Sequence, residues 1–318
     1  MYSNSSFLAA KSGISLWANN VIPSLFPFLV AVELLKNTSI IYFLSTHLDK
    51  YMTPLFNLPG ISVFPFIMGI LSGYPVGAKI VSDLYEKNAC TKDEAERMLP
   101  FVNNSGPLFI IGTVGISFYA NSTIGIILLF THIISSITVG IFFGIISRIK
   151  KRQKYSNSNY LVSPNNAISI YELGEILGSS IMSSIRTILL IGGFVTLFSV
   201  IISILERTKV LIIISNMLGT TFNINSSIIN SFITGIIEFT NGLSKISSIH
   251  LKNISLNIII SSFIIGFGGI SVLLQVLSII AKQKLSINKY VIGKLLQAFV
   301  SAFYTFLVLQ IPIFNFNL

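Results

Sequence analysis

Cysteine, histidine and charge are all scarce in this chain of 318 residues. The single cysteine, Cys90, excludes an internal disulfide and a cysteine-rich metal site. The three histidines stand singly at 47, 132 and 250, the pattern of packing or surface residues rather than of ligands. There is no His-Glu-x-x-His helix, phosphate-binding loop, serine nucleophile elbow or acidic metal cluster. The expectation is a protein that is not an enzyme and needs no metal or other cofactor. Charged residues make up only 10% of the chain, against roughly a quarter in soluble domains. That is too little to keep a chain of this length in water. The N-terminus also lacks the basic stretch, short apolar core and small-residue site of a cleaved secretory leader.

What is abundant is apolar sequence, 52% of residues, gathered in runs long enough to cross about 30 Å of hydrocarbon. Clear spans are 14–35, 122–147, 185–205, 254–281 and 290–311. A sixth run, 99–119, is interrupted by Asn103-Asn104-Ser105-Gly106-Pro107, and 254–281 has a matching interruption at Gly266-Phe267-Gly268-Gly269. Both read as broken helices, because backbone groups freed inside a membrane must be satisfied by protein or by a water-lined cavity. The net charge of +10 sits in the connections between apolar runs, where cytoplasmic loops carry their basic excess. The expected partner is therefore a lipid bilayer and not nucleic acid.

The polar, basic stretch 148–170 divides the chain into two halves, 1–147 and 171–318. The halves resemble each other: FIMGIL at 66–71 aligns with FITGII at 232–237, and the same offset places Lys79 on Lys245. Slightly shifted, Gly106 falls on Gly269. Each half reads as a span, an amphipathic segment (39–56; 209–218), a short hairpin (61–84; 226–250), a broken helix and a span. If only three spans of each half cross, 15 of the 21 Lys and Arg lie on the linker side, among them Lys289 and Lys294, and four on the other. That bias puts the linker in the cytoplasm. Three crossings per half then invert the second against the first. The expected fold is an all-α polytopic membrane protein of two inverted repeats, each with transmembrane spans, a re-entrant hairpin and a broken helix. Such a design binds its solute near the midplane, where the breaks meet.

The hairpin tips, SGYPVGAK at 72–79 and EFTNGLSK at 238–245, bring Ser72, Tyr74 and Lys79 from one half and Glu238, Thr240, Asn241 and Lys245 from the other. A lysine at membrane depth faces a cavity or a partner. Lys79 and Lys245 either receive an anionic solute or reach to the interface, and Lys245 has a second structural option in Glu238. Glu33, near a span end, reads as interfacial. At the breaks, Asn103, Asn104 and Ser105 add side-chain donors beside free N–H groups of a half-helix, and Ser271 and Gln275 do so from the other half. A buried Glu238 can couple transport to protons or hold a cation, unless it only pairs Lys245. The charged stretch 83–97 reads as a solvated helix, opened by a capping box at Thr91-Lys92-Asp93-Glu94.

At these motifs the chain resembles the sporulation integral membrane proteins of the YlbJ type. The resemblance rests on PSLFPF at 23–28 with Glu33-Leu34-Leu35, GILSGYPVGAK at 69–79, Glu94–Arg97 before a span, and NNSGPLFI at 103–110. Weaker strings, Glu238–Gly242 and Gly268-Gly269-Ile270-Ser271, continue it into the second half. That family shares the nucleoside-recognition (gate) domain and is similar in layout to concentrative nucleoside transporters. Members usually carry a helix before the first span, which this chain is expected to lack. The resemblance implies a cell-membrane protein, of the outer forespore membrane, that moves dipicolinate, a flat aromatic dianion. Two lysines and two half-helix N-termini around one cavity would suit such a solute. The alternatives are a nucleoside or purine transporter, and a non-transporting scaffold for spore-envelope assembly. A homo-oligomer or a complex with other sporulation membrane proteins is compatible with either.

Overall fold

The computed structural model describes residues 3–35, 38, 40–150, 170–249 and 254–311. Most of the linker, together with Lys36, His250 and Lys252, lies outside the described residues. Everything regular among the described residues is helix. The first half holds α1 (Ser3–Leu16), α2 (Ile22–Leu35), α3 (Ile40–Phe56), α4 (Val63–Ser72), α5 (Val76–Glu86), α6 (Lys92–Val102) and α7 (Ser122–Ile149). The second holds α8 (Ile170–Arg207), α9 (Val210–Phe222), α10 (Ser226–Ile237), α11 (Phe239–Ser247), α12 (Ser255–Phe267), α13 (Gly269–Ile280) and α14 (Asn288–Leu309). With the π-helical segment Leu108–Phe118 as the second arm of the first break, the two lists have the same order: span, shorter helix, hairpin, broken helix, span. The shorter helix of the second half, α9, is apolar rather than amphipathic.

Four runs are apolar and long enough to cross a membrane: Ser122–Ile149, Glu172–Arg207, Ser255–Gln283 and Asn288–Leu309. Two bent pairs raise the number to as many as six. One is Asn4–Val21 with Leu25–Leu35, bent by 56° where a π-helical turn, Trp17–Val21, joins α1 to α2. The expected span 14–35 is thus longer and kinked. The other is His47–Phe56 with Gly60–Ser72, bent by 91°. There Asn57 in the left-handed region closes α3, and Pro59 holds an extended backbone ahead of α4.

Each hairpin docks on the break of the helix that follows it. In the first, α4 and α5 meet at Gly73, whose φ of +83° is costly for any residue with a Cβ. The arms press on the end of α6, and a Cβ at Gly69 or Gly77 would run into the Val102 carbonyl. Gly73 and Gly106 stand backbone to backbone. In the second hairpin, α10 crosses α11 at Gly235 and Gly242, and Gly269 lies against the Gly235 carbonyl and the Phe239 amide. The break itself is two left-handed glycines, Gly268 and Gly269.

Equivalent spans of the two halves run antiparallel. Along α8, Gly13 of α1 faces Thr196 and Ser199, while the Trp17 indole donates to the Ile188 carbonyl at 3.0 Å. Along α14, Thr131 of α7 meets Thr305, and Phe143 meets Gly293. A ladder of small hydroxyls (Thr131–Thr305 at 2.9 Å, Thr305–Ser262 and Ser262–Ser301 at 2.7 Å) ties α7, α12 and α14. Small residues and hydroxyl bonds are the means by which helices associate where lipid removes the hydrophobic drive.

The charged loops gather at one end. Lys289 bonds Asp93 at 2.8 Å and Glu96 at 3.2 Å, and Arg97 bonds Asp93 at 2.9 Å and the Asn57 carbonyl at 3.0 Å. Burial alone would raise the Asp93 carboxyl, but the Lys289 ammonium and the Arg97 guanidinium hold it below its ordinary value. The segment expected as a solvated helix is therefore a packed ion cluster, with Glu94, Glu96 and Arg97 buried. Its capping box is present: the Thr91 hydroxyl accepts from Glu94 N, and the Glu94 carboxylate accepts from Thr91 N at 2.8 Å.

Candidate functional site

Both hairpin tips and the first helix break converge on a small cavity of about 30 Å³, enough for water but not for a ring compound. Its wall includes Leu25 of α2, Tyr74, Ser105, Phe239, Thr240 and Gln275. Four of the candidate residues, Tyr74, Ser105, Thr240 and Gln275, are thus brought together from two hairpins and two broken helices. Ser271 joins them through a 3.3 Å bond from the Gln275 amide. Ser72, buried at the end of α4, has no hydrogen-bond partner for its hydroxyl among the described residues.

Behind the Tyr74 wall lies a buried polar network. Asn104 accepts from the Gln297 amide at 3.0 Å and donates to the Phe101 carbonyl at 2.6 Å. Asn103 donates to the Tyr290 hydroxyl at 2.7 Å. The Ser105 amide, left free by the break, donates to His132 Nε2 at 3.1 Å. In the middle stands Lys294, fully buried on α14. Its Nζ donates to Gln297 Oε1 at 2.7 Å and to the Tyr74 hydroxyl at 3.4 Å, and lies 5.0 Å from the Tyr74 ring centre. No carboxylate is paired with it among the described residues. The Tyr74 hydroxyl in turn donates to the Ile265 carbonyl at 3.0 Å, joining the first hairpin to the second broken helix.

Lys294 corrects the charge count made from the sequence, which placed it among the cytoplasmic loops. His132, Tyr290 and Gln297 were also missed. The signal was available: Tyr290, Lys294, Gln297, Ser301 and Thr305 recur every three or four residues, a polar stripe on an apolar helix.

The other charged candidates lie apart. Lys79 bonds Glu33 at 2.6 Å, Ser183 at 2.8 Å and Thr187 at 3.2 Å, so Glu33 is a partner inside the protein rather than a bare interfacial acid. Lys245 pairs with Glu206, at the far end of α8. The two ammonium groups are therefore about 30 Å apart along that helix, and no small ligand touches both. Nor does Lys245 pair with Glu238. The Glu238 carboxylate caps α11, accepting from Thr240 N at 3.2 Å, Asn241 N at 2.8 Å and the Asn241 side chain at 2.8 Å. Asn241 reaches on to Ser199 of α8 at 3.3 Å.

A family model described as "Gate: Nucleoside recognition" matches residues 18–149, which hold the first hairpin, the first break and His132. No solved structure matches. The sporulation integral membrane protein YlbJ of Bacillus subtilis (strain 168) is 33% identical over 317 residues, covering 95% of this chain and 77% of the relative. With that identity running through both halves, the chain belongs to the family of the sporulation integral membrane protein YlbJ.

Proposed function

We propose that this protein is a secondary carrier of a small organic anion, dipicolinate, across the outer forespore membrane during spore formation. The observation that carries the reading is Lys294. Charging a lysine that is buried among only neutral partners costs several kcal/mol, and an anionic ligand in reach of its Nζ offsets that cost. The lysine stands one side chain from the cavity. Parting of the first hairpin from the break at Gly73 and Gly106 would move Tyr74 aside and join the cavity to the Lys294 Nζ. Asn103, Asn104, Ser105, Thr240, Gln275 and Gln297 would then offer hydrogen bonds to a carboxylate or a ring nitrogen.

Two further observations support a carrier. The repeated element order, with both pairs of equivalent spans antiparallel, is what an inverted repeat requires, and such repeats build alternating-access carriers. Lys79 and Lys245, each paired with a glutamate at the end of the first span of its half, stand at the two mouths rather than at the ligand. A second reading, a nucleoside carrier, is favoured by the family model over 18–149 and by the neutral Asn104–Gln297 amide pair. It would use the same cavity without needing the lysine.

Purified chain in proteoliposomes, offered labelled dipicolinate and labelled uridine in parallel, separates these readings. Saturable dipicolinate uptake, lost by 100-fold or more (about 3 kcal/mol) in Lys294→Met, is expected. Uridine uptake unaffected by Lys294→Met would establish the nucleoside reading. Transport of neither solute by folded protein would leave the scaffold role.

A further inference from the structure

Resting on the reading of this site as an anion site, we infer that Lys294 is where proton movement is coupled to transport. Its amine takes up a proton as the anion enters and gives it up as the anion leaves.

The argument is electrostatic and starts from what surrounds Nζ. The oxygens in reach, Gln297 Oε1 and the Tyr74 hydroxyl, are neutral. The Tyr74 and Tyr290 rings, at 5.0 and 5.9 Å, offset part of the desolvation of a cation and no more. The titratable groups facing the lysine are Tyr74 from the hairpin tip, His132 from α7 and Tyr290 one turn earlier on its own helix. Helix α12 carries no ionisable residue. Of the three carboxylates of α6, Asp93 and Glu96 are engaged by Lys289, about 7 Å back along α14, and Glu94 accepts from the Thr91 amide and hydroxyl. Beside the cavity, Glu238 is engaged by the N-terminus of α11. His132 Nε2 faces the Ser105 amide donor and so carries no proton there, which leaves the change of charge to Lys294.

Within this enclosure a lone ammonium and a lone carboxylate are both expensive, and each removes most of the other's cost. They enter together or not at all. Linkage makes the effect reciprocal: protonation strengthens anion binding by the factor by which the anion strengthens protonation. The Nζ lone pair accepts a proton from water on the side where the anion enters, and the new N–H bond breaks on the side where it leaves. No bond of the anion is made or broken, and one proton travels in the direction of one anion.

Calorimetric titration of the full chain in detergent with sodium dipicolinate, at one pH in two buffers of different ionisation heat, reads the protons directly. One proton taken up per anion bound is expected, and Lys294→Arg, whose charge is fixed, should bind without proton uptake. Proton uptake retained by Lys294→Arg would overturn the assignment to this residue. Because that variant also tests folding, native chain in proteoliposomes gives a second measure. One proton with a dianion moves one net negative charge, so the membrane potential is held at zero by potassium and valinomycin. An inside-alkaline gradient of one pH unit should then drive up to about tenfold accumulation, abolished by a protonophore. Binding with no proton uptake, or accumulation indifferent to the gradient, overturns the coupling and leaves the carrier reading intact. No binding by folded chain overturns both.

Discussion

Glu238 and Lys294 are both fully buried, yet their surroundings assign them different work. Glu238 has its carboxylate oxygens filled by two backbone amides and the Asn241 side chain, the arrangement of an N-cap. Its value is conformational: it starts α11 at the tip of the second hairpin. Glu238→Ala should lower stability by about 1–2 kcal/mol, read as a fall in melting temperature in detergent. Glu238→Gln keeps an acceptor and should recover most of that loss along with uptake. A Gln variant as stable as the native chain but dead in transport would restore the carboxylate to a coupling role. In the sequence Glu238 was recognisable as a buried acid, but its partners were not. Capping depends on the backbone turning extended at that residue, and no spacing rule chose between the cap and Lys245.

At the scale of elements, hairpins and breaks were legible because glycine and proline mark them locally. GYP at 73–75, NNSGP at 103–107 and GFGG at 266–269 each fall where the backbone leaves the helix. What joins the elements was not legible. Glu33 meets Lys79 across 46 residues and Gln297 meets Asn104 across 193, and a linear pattern holds no record of such pairings. Lys294 was misread for a related reason. Counting charges by distance from a span end assumes that the first turns of a span face water, whereas here α6 and its break cover them. Docking of hairpin on break makes a prediction of its own. Gly69→Ala puts a Cβ into the Val102 carbonyl and should cost about 1–3 kcal/mol, as overpacking does. Gly112→Ala, with nothing within 4 Å, should be neutral or mildly stabilising. Monodispersity and melting temperature of the two variants in detergent check this, and equal behaviour would remove the docking argument.

For the molecule as a whole, α8 acts as a ruler. Its 38 residues extend about 57 Å, well beyond the roughly 30 Å of hydrocarbon in a bilayer. The polar clusters along it, Lys79 with Ser183 and Thr187 and then Lys245 with Glu206, are separated by about that thickness. The expectation drawn from this spacing is that each cluster anchors one boundary of the slab. A carrier gripped at both boundaries is sensitive to lipid length. Uptake in phosphatidylcholine vesicles of graded acyl chain should peak where hydrocarbon thickness matches the distance between the two ion pairs. A flat profile would show that the clusters do not anchor the protein. Thickness would then act on the transport cycle as a physical setting: in thinner or thicker lipid one mouth is drawn into hydrocarbon, and the cost falls on whichever conformation must expose it.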